Sequence, residues 1–211
     1  MRGNIIRNQI LQLAKPVIVQ DGWNENLFNK IIKDSDVNIN DLNALFPNGY
    51  RELLQYYLNE INKTMTKESK RINFLRFKVH ERIYKLCTLR LEILSKEKKL
   101  IVKTFYHLML PQNYKFSLKN LYKTIDQIWF LGGDISTDFN FYSKRAILAS
   151  IYTATIIHFI NNDNFNETLI FLKKQLKKVS HIPKIKNRFG DILKLSPNII
   201  KFKKNFSFFR Q

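Results

Sequence analysis

The side chains that most often carry chemistry are few in this chain, and their spacing does not assemble them. The four histidines, His80, His107, His158 and His181, are scattered, with no HExxH or comparable ligand pair. Cys87 is the single cysteine, so neither an intramolecular disulfide nor a cysteine metal cluster can form. Its setting, KLCTLRL, reads as a helical core position and therefore as a structural thiol. No GxGxxG or other phosphate-cradling loop occurs, and Gly132-Gly133 fits a helix C-terminus. Asp134 and Asp138 lie four apart, as an acid–base pair would, but both fall at a helix start, where capping explains acids without chemistry. His158, on an apolar helix, reads as a satisfied core histidine and not a base. No catalytic residues, no metal site and no cofactor are expected, so the chain reads as a non-enzyme.

The elements that position these residues follow from composition and periodicity. Gly and Pro number only 6 and 5, which disfavours a turn-rich β protein and favours long helices. Apolar residues at helical spacing place a first helix over Ile6, Ile10, Leu11 and Leu13, closed by Pro16 and Gly22. A short helix at about 24–33 shows Leu27, Phe28, Ile31 and Ile32 on one face. Asp36 or Asn38 can cap a third over Ile39–Phe46, stopped by Pro47-Asn48-Gly49, and a fourth runs from Tyr50 to about Met65. Three short helices and a longer one form the layout of a helix-turn-helix lobe, residues 1–66.

A larger helical lobe, 67–180, follows. It reads as one long amphipathic helix from Ser69 to Leu94, then helices at 97–109 and at 118–131, the latter capped by Ser117. Asp134, Ser136 or Thr137 can cap the next, with Asp138 in its first turn. That helix carries AILASIYTATIIHFINN, 17 residues without a charge at 146–162. A membrane span needs about 20 predominantly apolar residues, so a central helix buried on all sides is expected instead. A last core helix, 165–179, buries Phe165, Leu169, Leu172 and Leu176 beneath a Lys-rich face.

The formal charge of +19 invites a polyanionic partner. Yet Ile, Lys and Asn make up 74 of the 211 residues, a skew that codon drift in an AT-rich genome would also give. Position is more informative. Residues 171–211 carry 12 basic side chains against Asp191 alone, so attraction to nucleic-acid or lipid phosphates concentrates there. Within 181–211, Ile185, Phe189, Ile192, Leu193, Ile199 and Ile200 recur at helical spacing with Lys186 and Lys194 between them, as in an interfacial amphipathic helix. A helix packed on its own domain beneath a solvated basic face fits the same pattern. The opening stretch lacks the continuous apolar run of a signal peptide, and a cytosolic bacterial protein is expected.

The helix that should read DNA is poorly charged for the task. Residues 36–49, DVNINDLNALFPNG, hold two Asp and no Lys or Arg; Asn38, Asn40 and Asn43 could face bases, but close approach to phosphates without cations is unfavourable. A transcriptional regulator binding DNA and a hydrophobic ligand is therefore the alternative reading and not the first.

The run GDISTDFNFYSKRAILASIY, residues 133–152, within the longer segment 126–155, resembles the signature of the coenzyme Q (ubiquinone) biosynthesis accessory family, protein nine of that pathway. The stretch His107–Pro111 and the early Gly22-Trp23 with Leu45–Gly49 also fit. The resemblance implies an all-α, TetR-like fold: a helix-turn-helix lobe that has lost DNA binding, a larger helical lobe with an apolar lipid pocket, and a C-terminal amphipathic helix that touches the membrane. It implies an accessory protein that takes an isoprenoid-quinone precursor, or another lipid, from an anionic membrane surface and presents it to a demethoxyquinone hydroxylase. By position, Ile128, Phe141, Tyr142 and Arg145 would face that hydroxylase. Leu131, Leu148, Ile151, Tyr152, Thr155 and Ile156 would line the lipid pocket, with Tyr152 and Thr155 offering polar contacts to a quinone ring. A homodimer, cytoplasmic and peripheral on the inner membrane, without specific nucleic-acid binding, completes the expectation.

Overall fold

A computed structural model describes residues 2–33, 35, 38–134 and 139–180. These form nine α-helices and two short 3₁₀ turns, with no strand among the described residues: α1 Arg2–Asp21, α2 Leu27–Lys33, α3 Ile39–Leu45, α4 Tyr50–Ser69, α5 Val79–Ser95, α6 Lys98–Met109, α7 Tyr114–Leu131, α8 Phe139–Asn161 and α9 Phe165–Ser180. The all-α expectation is met. Residues 1–173 form one compact unit and 174–211 a second, of which only the last turns of α9 are described. The expected boundary at residue 66 falls inside α4.

Helix α1 passes through Pro16 without ending there. Proline removes an intrahelical hydrogen bond at a cost of about 3 kcal/mol. Ile10, Leu11, Ala14 and Ile18 lie on one stripe across it, all buried. Burying an aliphatic side chain contributes about 1.5–3 kcal/mol, so the stripe outweighs the proline. The helix ends instead at Gly22, whose φ of +77° takes the left-handed conformation and whose N–H reaches the Ile18 carbonyl at 2.8 Å.

Helix α2 buries Leu27, Phe28 and Ile31, and α3 starts at Asn38, whose side chain accepts from the Asn40 N–H at 2.9 Å. Arg7 closes the other end of α3, donating to the Leu45 carbonyl at 2.7 Å while its guanidinium lies over the Phe46 ring. Trp23, buried against Tyr57, donates to the Thr104 hydroxyl at 3.0 Å and so ties this lobe to α6.

The expected single helix over 69–94 is broken. Helix α4 continues to Ser69, and Asn73 then accepts from the Leu75 N–H to start a 3₁₀ turn over Phe74–Arg76. Helix α5 begins at Val79, where the Glu81 carboxylate accepts from the Lys78 N–H at 2.8 Å. Helix α7 begins at Tyr114, four residues earlier than expected, because Asn113 and Pro111 open it; Ser117 lies inside it and donates to the Leu108 carbonyl. It ends at the glycine pair, with Gly133 at φ +82° and the Asp134 N–H donating back to the Trp129 carbonyl at 3.0 Å. Helix α8 is not buried all round: Leu148, Ile151, Tyr152, Thr155, Ile156 and Phe159 face the core, whereas Ala146, Ser150, Ile157 and Asn161 form an exposed edge. No helix among the described residues is long and apolar enough to cross a membrane.

Candidate functional site

Helices α4 to α8 line a partly open cavity of about 400 Å³. Its walls are mainly apolar: Leu58 and Ile61 from α4, Leu94 from α5, Ile101, Phe105 and Leu108 from α6, Leu118 and Leu121 from α7, and Ile156 from α8. Such a volume and lining suit a small apolar ligand or part of a larger one. The rim at the α6–α7 junction, Met109, Leu110, Tyr114 and Leu118, is apolar and exposed.

One corner of the wall is polar. Arg90, on α5, is 4% exposed. Its Nε donates to the Tyr152 hydroxyl at 2.7 Å, one terminal nitrogen to the Asn62 side-chain oxygen Oδ1 at 2.6 Å, and the other to the Thr124 hydroxyl at 3.3 Å. A single guanidinium thus joins α4, α5, α7 and α8. Burial raises the Tyr152 phenol above its ordinary pKa, with Arg90 pulling the other way. Sequence reading did not single out Arg90. The signal was present: Ile83, Leu86, Cys87, Leu91 and Leu94 mark the buried face of α5, and Arg90 sits on it.

Of the residues expected to line a lipid pocket, Tyr152 and Ile156 are in this wall. Leu148, Ile151 and Thr155 are buried on α8 but do not line the cavity, and Thr155 donates to the Ile151 carbonyl within its own helix. Leu131, half-buried at the end of α7, does not line it either.

The four residues expected on a partner surface separate. Ile128 is 0% exposed and faces the core, so it offers nothing to a partner. Arg145 is 6% exposed; it donates to the Asp126 carboxylate at 2.7 Å and to Asp134 at 3.1 Å, and its guanidinium lies 3.3 Å from the Phe141 ring centre. It therefore fastens α8 to α7. Phe141 is half-buried beneath it, and Tyr142 is the exposed member. Tyr122 lies near enough to Asp126 and Tyr142 to feel their charge, although burial is the larger cause that raises its phenol.

The other chemical candidates are accounted for locally. Cys87 is 0% exposed and burial pushes its thiol up to about 12, consistent with a structural role. His158 lies 3.2 Å from the Thr168 hydroxyl and stacks on Phe171. His107 sits edge-on to Tyr50 with a ring nitrogen 3.1 Å from the Asn113 amide, and burial lowers its pKa. The Asp134 carboxylate pairs with Lys144 and Arg145; Ser136, Thr137 and Asp138 lie outside the described residues. No group of three His, Cys, Asp or Glu that could hold a metal occurs among the described residues. Ile185, Phe189, Ile192, Leu193, Ile199, Ile200, Lys186 and Lys194, together with His181, also lie outside them. The exposed positions of α3, Asn40, Asp41, Asn43 and Ala44, include no cation.

Helix order and packing define a TetR-like, all-helical architecture. The crystal structure of the TetR transcriptional regulator from Nitrosomonas europaea superposes with a TM-score of 0.67 over 83% of this chain and 98% of that one, at 18% identity. Residues 114–183 match the COQ9 family, and the resemblance to it read from residues 126–155 is borne out. The chain is 28% identical to the ubiquinone biosynthesis protein COQ9-A of Xenopus laevis, over 82% of this chain and 57% of that protein. It is 40% identical to COQ9 of Bos taurus over a shorter stretch, 35% of this chain and 24% of that one. The chain thus spans little more than half the length of the full-length relative from Xenopus.

Proposed function

We propose that this chain is a lipid-binding accessory protein of ubiquinone biosynthesis, and not an enzyme, that takes an isoprenoid-quinone precursor from a membrane and presents it to a partner hydroxylase. The observation that carries the reading is the apolar cavity of about 400 Å³ between α4 and α8, in a chain whose residues 114–183 match the COQ9 family. Apolar walls favour hydrocarbon, each buried CH₂ contributing about 0.8 kcal/mol. The exposed apolar rim gives a chain longer than the cavity a route outward. Its relatives are named ubiquinone biosynthesis proteins, which supports the pathway. The basic residues of 181–211 support docking on an anionic membrane, and Tyr142 with Tyr122 supports an aromatic contact for a hydroxylase.

Mass spectrometry of lipid extracted from the purified full chain tests this. An isoprenoid quinone or its precursor, recovered in stoichiometric amount and reduced by substitutions in the cavity wall, is the expected result. Protein that neither carries nor takes up any lipid overturns the reading.

A further inference from the structure

The polar corner of the cavity asks for a ligand of a particular kind. A guanidinium has five N–H donors. Arg90 spends three, on Tyr152, Asn62 and Thr124, all of them neutral groups. No carboxylate lies within ion-pair distance of it among the described residues. A cation removed from water without a counter-charge is costly, and such charges are ordinarily paired. The Tyr152 hydroxyl accepts from Arg90, so its own O–H is free to point elsewhere, and it finds no acceptor among the described residues.

Most of the remaining polar groups on the wall are satisfied by protein; Ser117 donates to the Leu108 carbonyl. Thr104 accepts from Trp23 and donates to the Leu100 carbonyl. Asn120 exchanges hydrogen bonds with Gln55 and donates to the Phe116 carbonyl. Thr124 donates to Asn62 at 3.4 Å. What is left over is donor-rich: two N–H groups of Arg90 and the Tyr152 O–H, with a positive charge, beside the Thr153 hydroxyl, which can donate or accept. A group that only accepts, and preferably carries negative charge, complements this corner; a hydrocarbon end does not.

Geometry sets the other end. Thr124 and Tyr114 both line the cavity from α7, ten residues apart. At 1.5 Å per residue the polar corner and the apolar rim are separated by about 15 Å along the helix. We infer that Arg90 and Tyr152 form a head-group site for an amphiphile with an anionic head, carboxylate or phosphate, whose apolar chain runs toward Tyr114 and Leu118. This rests on the lipid-binding reading and narrows it to a charge and an orientation.

The test uses the full chain and four probes below their micelle concentrations: dodecanoate, dodecyl phosphate, dodecanol and inorganic phosphate. Dodecanoate and dodecyl phosphate are expected to bind about 10- to 100-fold more tightly than dodecanol, the range for a hydrogen bond to a charged group. Arg90→Gln should abolish that preference while leaving dodecanol binding in place. The preference should persist between about 0.15 and 0.5 M salt, because a buried pair is screened far less than the exposed basic surface. A preference that vanishes at the higher salt assigns it to that surface and overturns the inference. Equal binding of dodecanol and dodecanoate by the unsubstituted chain overturns it too, while the lipid reading stands. If no dodecyl probe binds, the lipid reading fails along with it. Inorganic phosphate bound as tightly as dodecyl phosphate makes the corner a free-anion site and refutes the amphiphile. Should Arg90→Gln not fold, Tyr152→Phe decides: a several-fold loss of preference supports the site, and an unchanged preference overturns it.

Discussion

Arg145 and His107 are residues whose surroundings give them measurable consequences. Arg145 holds Asp134, whose side chain is 3% exposed, and Asp126 across the α7–α8 contact. Breaking a buried ion pair from one side costs about 3–5 kcal/mol, and Lys144 remains on Asp134 to limit the damage. Arg145→Ala should therefore destabilise by about 3 kcal/mol in denaturant titration, and Arg145→Lys by less. A loss of hydroxylase pairing in Arg145→Ala then reports unfolding of the patch and not a lost contact. For His107 the sign follows from its lowered pKa, caused first by burial and next by Arg51. The folded chain takes up the proton at lower pH than the unfolded chain does. The stabilisation is full above the ordinary histidine value of about 6.5 and declines as pH falls below it. The melting temperature of the native chain should drop between pH 7 and pH 5.5 by more than that of His107→Gln. Parallel pH profiles would show that His107 contributes nothing to the slope.

At the scale of elements, local signals were legible wherever a cap or a stop is written in adjacent residues. Asn38 starts α3, Pro47-Asn48-Gly49 separates α3 from α4, and the glycine pair ends α7. Gly133 is needed for its φ of +82°, a conformation that costs other residues about 1–2 kcal/mol. Gly133→Ala should lower stability by that amount, with the added Cβ meeting the Arg82 guanidinium at 3.0 Å. An unchanged melting temperature would mean that the turn has another way to close. Illegible elements were those decided by distant partners. The stripe of Ile10, Leu11, Ala14 and Ile18 carries α1 through Pro16 only because α2, α3 and α6 receive it. The uncharged run of α8 hid which of its faces is solvated, since Ala146, Ser150 and Ile157 carry no polarity strong enough to mark an exposed edge. The break at Asn73 was masked by an apolar period that resumes in phase beyond it. For the cavity, the resemblance and the uncharged run pointed to α8, but which of its residues face the space depends on α5 and α7. Tyr152 and Ile156 line the space, and so does Arg90, whose place in it no local pattern singles out.

For the whole molecule, charge is distributed unequally: eight basic residues stand against Asp191 in 181–211. Each basic residue near an anionic surface contributes about 1 kcal/mol before screening. Removing 181–211 should leave a folded, lipid-competent protein that no longer sediments with anionic vesicles. Changing Ile192, Leu193, Ile199 and Ile200 to Ser should weaken sedimentation while the charge is kept. A truncated chain that still pellets like the intact one would remove the tail from the loading step. DNA held by the tail should ignore sequence and weaken steeply with salt.

The cavity also sets a ceiling on how stable the chain can become. Interiors are ordinarily packed to the density of organic crystals, and wall atoms facing a void lose their dispersion partners. A protein selected for endurance alone would grow larger side chains there. Leu121, half-buried on α7 and facing the space, is where one could be added. Leu121→Phe should raise stability by roughly 0.5–2 kcal/mol, the usual yield of filling a hole, and should reduce lipid uptake in proportion to the volume it takes. A variant that melts higher and carries as much lipid as before would place the cargo elsewhere. If the two move in opposite directions, evolution has kept this protein softer than its sequence needs to be, and the softness is the room it reserves for a guest.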